Sequence, residues 1–240
     1  MTANATEVTG FLHRHDGKVC PPIPFSGRRL GVADLGTIIA LHHLVLATIP
    51  AHLLAAETDA FFADHVDRIG RIYGLFAHGG MIAYGVLGLP GPEDANFGDD
   101  LGLAVADKAR IAHIDGISVH PDWRENRLQR ILIGWRLREA AAAGRSLVLC
   151  TVAPGNAASL SNALAEGLTI RALLQKYGGW RYMMERDLTL PAQPSPTDGR
   201  WVDGVDIATQ SRLLATGVRG WRMERQGNDH RVWFAPMASG

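Results

Sequence analysis

The stretch "RIAHIDGISVHPDWRENRLQRILIGWRLREAAAAG", residues 110–144, constrains the fold more than any other part of the chain. An apolar run, Ile111–Val119, leads into a loop holding a proline and two arginines. Apolar residues at helical spacing follow, closed by a glycine stop. This is a strand that feeds directly into a helix start. The first N–H groups of a helix have no intrahelical partner, so such a turn aims amides and the positive end of the helix dipole at an anion. Arg124 and Arg127 add guanidinium groups suited to phosphate oxygens. Two readings stay open on these residues: an anion cradle, or a plain strand–helix turn in which Asp122 and Glu125 cap the helix and the arginines are solvated.

The rest of the chain gives the context. Residues 1–27 are rich in Pro, Gly and polar residues and read as a loose N-terminal arm. "RRLGVADLGTIIALHHLVLATI" reads as a short strand running into a helix, and "AETDAFFADHVDRI" as a second helix. "RIYGLFAH" and "GMIAYGVLGLP" form a hairpin around "GG". "PGPEDANFGDDLGLAVADKAR" is too broken for regular structure and reads as a loop. After the central helix come the strand "SLVLCTVAP", the helix "GNAASLSNALAEG" and two closing strands around "GGW". Residues 191–240 form a linker, "PAQPSPTDG", and a small C-terminal extension. No internal repeat is evident. The expected class is α/β, an α+β arrangement around one mixed sheet.

Composition sets limits. At 240 residues, with 47% hydrophobic and 20% charged residues, the chain can bury a sizeable core and is not of disordered type. Lys+Arg and Asp+Glu balance at 24 each, which gives no electrostatic reason to expect a nucleic acid or an anionic membrane as partner. The longest apolar stretch is broken by His42, His43, Pro50 and His52 and reads as a buried helix rather than a membrane span. Cys20 and Cys150 have no metal-type spacing, and the scattered histidines make no metal set, so no metal is expected. Without a disulfide framework or leader-like segment, the cytoplasm is the expected location.

Candidate chemistry lies on the strand before the loop and the turn after the next one. By strand alternation His113, Asp115, Ile117 and Val119 share one face, and Ile114, Gly116, Ser118 and His120 the other. His113 and Asp115 are either a general base with its tuning partner, or a satisfied core histidine and a strand-end carboxylate. Asn156 is either a helix N-cap or a ligand contact.

Together these features resemble the GNAT family, the acetyl-CoA-dependent N-acetyltransferases, from about Arg28 to Leu190. "VHPDWRENRLQRILI" resembles that family's Val-x-Pro strand end followed by Arg/Gln-x-x-Gly-x-Gly/Ala and a helix. "TVAPGNAASLSNALAEGL" is similar to its segment in which an Asn precedes a helix, and "YGGWRYMMERDL" to its closing strand pair. The resemblance implies a GNAT-like acyl-CoA N-acyltransferase fold with a small C-terminal extension, acetyl-CoA as cofactor, and transfer to a small-molecule or peptide amine by direct attack on the thioester. It implies that Arg124 opens a pyrophosphate cradle made by the amides of Glu125, Asn126, Arg127, Leu128, Gln129 and Arg130. Backbone groups of Ile117 and Val119 would pair with the pantetheine arm, Asn156 and Ser159 would touch it, and His113 with Asp115 would take the amine proton. Arg127 and Gln129 stand where the family has glycine and a small residue, and Ala163 where it often has a tyrosine acid. A non-catalytic acyl-CoA-binding or interaction protein on the same fold is the alternative. The acceptor and the oligomeric state, a homodimer included, are left open.

Overall fold

The computed structural model describes residues 8–13, 21–227 and 229–237. Eleven strands form one sheet: β1 (Val8–Leu12), β2 (Ile23–Arg29), β3 (Gly70–Ala77), β4 (Gly80–Gly88), β5 (Ile111–Val119), β6 (Leu147–Val152), β7 (Thr169–Lys176), β8 (Gly179–Asp187), β9 (Arg200–Asp203), β10 (Arg219–Gln226) and β11 (Asp229–Ala235). Their order is β1-β2-β3-β4-β5-β6-β8-β7-β10-β11-β9. Neighbours are antiparallel except β5 and β6, which run parallel.

Helices α1 (Leu35–Leu46) and α2 (Asp59–Asp67) cover one face. The other face carries α5 (Leu128–Ala142), α6 (Ala157–Ala165) and α7 (Ile207–Ala215). Two short helices, α3 (Phe97–Asp100) and α4 (Val105–Lys108), lie in the connection before β5. Strands β3 and β4 are sandwiched between the layers. Ile72, Tyr84 and Val86 join the core under α1 and α2, while Tyr73, Leu75 and Leu87 join that under α5. Burial on both faces explains the unbroken apolar run of β4.

Three expectations are corrected. The described part of the segment 1–27 is not loose, because β1 and β2 pair along their length and bury Leu12 and Phe25. The segment after β4 holds α3 and α4, which the sequence hides because four-residue helices are too short to show a period. Asn96 starts α3 by accepting from Gly98 N–H at 2.8 Å. The third concerns alternation on β5. Ile117 pairs with Gly85 and Ile114 with Leu87, so three steps on β5 match two on β4. This is a β-bulge at Asp115–Gly116, and it breaks the shared face expected for His113, Asp115, Ile117 and Val119.

Candidate active site

The parallel pair β5–β6 opens after only three residue pairs, the last being His113 with Leu149. Beyond that point, among the described residues, β5 is held by β4 alone and β6 by β8 alone. The two strands part, leaving a cleft at their C-terminal ends, where ligands of α/β sheets bind. His120 N–H donates to Ile82 O of β4, so by alternation Ile117 and Val119 turn their backbone groups toward the gap.

The cleft floor is Ile114, Asp115, Gly116 and Ile117 from β5 with Thr151, Val152 and Ala153 from β6. Its walls are His42 of α1, Leu53 and Glu57 from the connection between α1 and α2, Asn156 and Ser159 of the α6 start, and Tyr177 and Arg181 of the β7–β8 hairpin. Asn156 serves as the N-cap, accepting from Ser159 N–H at 3.1 Å, and its amide also donates to Leu53 O at 3.3 Å. It therefore ties the α1–α2 connection to the α6 start.

The loop between β5 and α5 has an unusual backbone. Glu125 (φ 65°) and Arg127 (φ 56°) are both left-handed. Arg127 thus takes a conformation open to glycine without penalty, at a cost of about 1–2 kcal/mol for an L side chain. Its side chain does not cap α5, whereas Thr58, Asn156 and Asp206 cap α2, α6 and α7. The first-turn amides of Leu128, Gln129 and Arg130 consequently lie at an uncapped helix start, since Ile131 N–H is the first to bond back, to Arg127 O at 3.0 Å. Arg124 donates to Thr48 Oγ1 at 2.8 Å beside the loop. Asn126 holds the loop in place: its Oδ1 accepts from His13 N–H at 2.7 Å and its amide donates to Arg124 O at 3.2 Å. Gln129 donates to Ser159 Oγ at 2.8 Å and Arg130 pairs with Glu166 at 3.0 Å, which fixes α5 against α6. Replacing Arg127 with Gly is expected to raise unfolding stability by up to about 1 kcal/mol, read in urea denaturation, because the strain leaves and the loop shape stays.

His113 and Asp115 come together differently from the expectation. The His113 imidazole is buried against Phe97, with ring centroids 4.2 Å apart, and its Nε2 accepts from Phe97 N–H at 3.2 Å. Burial pushes its pKa down to about 3, so it stays neutral, and it is not among the residues lining the cleft. The proton-accepting role expected of His113 therefore does not fit its position. Asp115 does line the cleft. Its Oδ2 lies 3.8 Å from His113 Nδ1 and 3.7 Å from His65 Nε2, two imidazoles that burial keeps uncharged. It fits there because Gly88 has no Cβ, which would come within 2.7 Å of the carboxylate.

Burial, reinforced by the nearby Glu57, pushes the Asp115 pKa up to about 7. Glu57 is itself pushed up to about 7 by burial. Two carboxyl groups that titrate near neutrality thus face one cleft. Both hold their protons better folded than unfolded, so their stabilising effect is full below about pH 4 and is lost as pH rises through about 7. Unfolding stability is expected to fall on the order of 2 kcal/mol between pH 4 and 8, and Asp115→Asn to flatten that slope.

A buried relay reaches the same wall. Ser118 Oγ donates to Tyr84 Oη at 3.1 Å, and Tyr84 Oη lies 2.8 Å from His42 Nδ1. Of these cleft residues, the sequence marked Asp115, Ile117, Asn156 and Ser159, and gave no sign of Glu57 or Arg181. Glu57 carried no signal beyond being an acid just before the Thr58 cap. Ala163 is buried in α6 and offers no proton. Among the described residues no group of His, Cys, Asp and Glu is placed to hold a metal ion, and no helix is long and apolar enough to cross a membrane.

No protein-family model matches the chain, and no curated protein matches it in sequence. Solved structures do match in fold. A GNAT-superfamily phosphinothricin acetyltransferase of Sinorhizobium meliloti in complex with acetyl-CoA is similar at 17% identity and a TM-score of 0.54, covering 72% of this chain and 94% of that one. The yncA protein of Salmonella typhimurium, solved with its cofactor acetyl-CoA, is similar at 18% identity and a TM-score of 0.53, covering 71% and 98%. A GNAT-family acetyltransferase of Streptococcus pneumoniae is similar at 14% identity and the same TM-score, covering 68% and 99%. The fold is that of the GNAT N-acetyltransferases.

Proposed function

We propose that this chain, with its GNAT acyltransferase fold, is an acetyl-CoA-dependent N-acetyltransferase that acts on a primary amine. The observation that carries this reading is the splay of β5 from β6 between an uncapped α5 start and two carboxyl groups titrating near neutrality. The parted strand edges suit an extended amide-bearing arm, which can pair with Ile117 and Val119 as an added strand. The first-turn amides of α5, with Arg124 and Arg127 beside them, suit the pyrophosphate. When bound, acetyl-CoA supplies an activated acetyl thioester.

An amine arrives as an ammonium ion and must lose a proton before it can attack. Glu57, lining the cleft with its pKa pushed up to about 7 by burial, is placed to accept that proton. Asp115, deeper in the cleft, is a second carboxyl group with its pKa pushed up to about 7 that faces the amine. Tyr177 lines the cleft with its side chain half exposed there, so its phenol O–H is placed to donate to the departing thiolate. Tyr177→Phe is expected to lower the turnover rate about 10–100-fold while acetyl-CoA binding is unchanged. A screen of amines with thiol release as readout tests the reading. Product formation with at least one amine supports it, and acetyl-CoA binding with no transfer to any of them favours a binding protein on the same fold.

A further inference from the structure

The described residues of 200–235 repeat residues 150–185 at a constant separation of 50. Helix α7 begins and ends 50 residues after α6, and β10 begins and ends 50 residues after β7. The registers repeat too: Val152 pairs with Tyr182 and Val202 with Val232, while Ile170 pairs with Met184 and Gly220 with Phe234. Each hairpin carries an irregularity at the same place, Ile170/Ala172 in one and Gly220/Arg222 in the other. The caps agree in detail. Asn156 (φ −88°, ψ 69°) accepts from Ser159 N–H, and Asp206 (φ −81°, ψ 69°) accepts from Thr209 N–H. Both helices end before a left-handed glycine, Gly167 at φ 82° and Gly217 at φ 86°.

The two copies face each other about a local two-fold. The order β6-β8-β7-β10-β11-β9 maps onto itself when each strand is exchanged for its equivalent. The junction pairs Ile170 with Gly220, its own counterpart, in antiparallel sense. Packing is reciprocal, with α6 against β10 and α7 against β7. This is the self-complementary geometry of two like subunits, built within one chain.

The second copy lacks a cleft of its own. Among the described residues its β9 is the edge of the sheet and has no parallel neighbour in the role of β5. Trp201 and Arg231, the counterparts of the cleft residues Thr151 and Arg181, stack on each other at 4.7 Å. What the second copy does is brace the first. Tyr182 Oη donates to the fully buried Gln210 at 2.6 Å, and β10 covers the edge of β7 near its start. The hairpin so held carries Tyr177 and Arg181 to the cleft.

We propose that residues 200–235 are a built-in partner subunit, occupying on β7 the edge that the same unit of a second chain would otherwise fill. An unpaired strand edge is a template for another strand, and the symmetry of the junction identifies a second copy of this unit as what fits it.

Full-length variants test this. A Cβ at Gly220 would meet Ile170 Cδ1 at 2.7 Å, so Gly220→Ile is expected to undock the second copy, free the β7 edge and double the mass in light scattering. The double variant Ile170→Gly, Gly220→Ile exchanges the pair across the two-fold and is expected to restore the wild-type mass and a melting temperature within a few degrees of wild type. An unchanged or smaller mass for Gly220→Ile, or a double variant no better than the single one, overturns the proposal. If Gly220→Ile yields no soluble protein, recovery by the double variant supports the proposal and failure to recover overturns it.

Discussion

Glu57→Gln is expected to lower acetyl transfer about 10²–10⁴-fold while acetyl-CoA affinity stays within twofold of wild type. The amide keeps the size and polarity of the side chain and loses its negative charge and its ability to take a proton. In the wild-type chain the rate should rise with pH up to about 7 and level off above it, since the base works only when deprotonated and its pKa is near 7. In Glu57→Gln that rise should vanish, leaving a slow rate governed by the free amine. Steady-state rates from pH 5 to 9 for both proteins provide the comparison. A variant with the wild-type profile would assign the base elsewhere.

The largest loss of stability is expected from Arg136→Met, about 3–5 kcal/mol in urea denaturation. Arg136 is fully buried in α5. Its Nη1 donates to Val86 O at 2.8 Å and to Asp115 O at 3.1 Å, and its Nε to Leu132 O at 3.1 Å. Val86 and Asp115 lie where the β5 bulge interrupts the ladder, so one guanidinium group satisfies carbonyls that the sheet does not. Gly85 makes room for it, as a Cβ there would come within 2.9 Å of Nε. Methionine fills much of the volume and leaves the carbonyls without a donor. Because the same contact fixes the bulge that turns Asp115 into the cleft, turnover should fall along with stability. A loss below about 1 kcal/mol would show that the carbonyls find other partners.

The strand, loop and helix around residues 110–144 were legible because each uses a strong local signal: an apolar run, a proline turn, a helical period and a glycine stop. The position of Asn156 before α6 was legible for the same reason. The bulge at Asp115 was not predicted, although a glycine inside a strand is its usual signal and Gly116 stands there. Overlooking it put His113 on the cleft face, whereas Phe97, from a segment read as irregular, covers it. Glu57 was invisible because its role comes from burial beside Asp115, which local sequence does not encode. The repeat escaped notice because few side chains survive in both copies, among them Gly167 and Gly217, Leu164 and Leu214, and Arg181 and Arg231. What persists is spacing, register and caps, all of which are backbone properties.

The central claim is that the parted strands and the α5 start form an acetyl-CoA site. Isothermal titration of acetyl-CoA into the wild-type chain and into the Arg124→Ala, Arg127→Ala double variant tests it most directly. Alanine at 127 keeps the left-handed strain while removing the guanidinium, and alanine at 124 removes the second cation together with its hydrogen bond to Thr48. One site per chain in the micromolar range, weakened more than tenfold in the variant, is the predicted result. No binding by the intact chain would contradict the account.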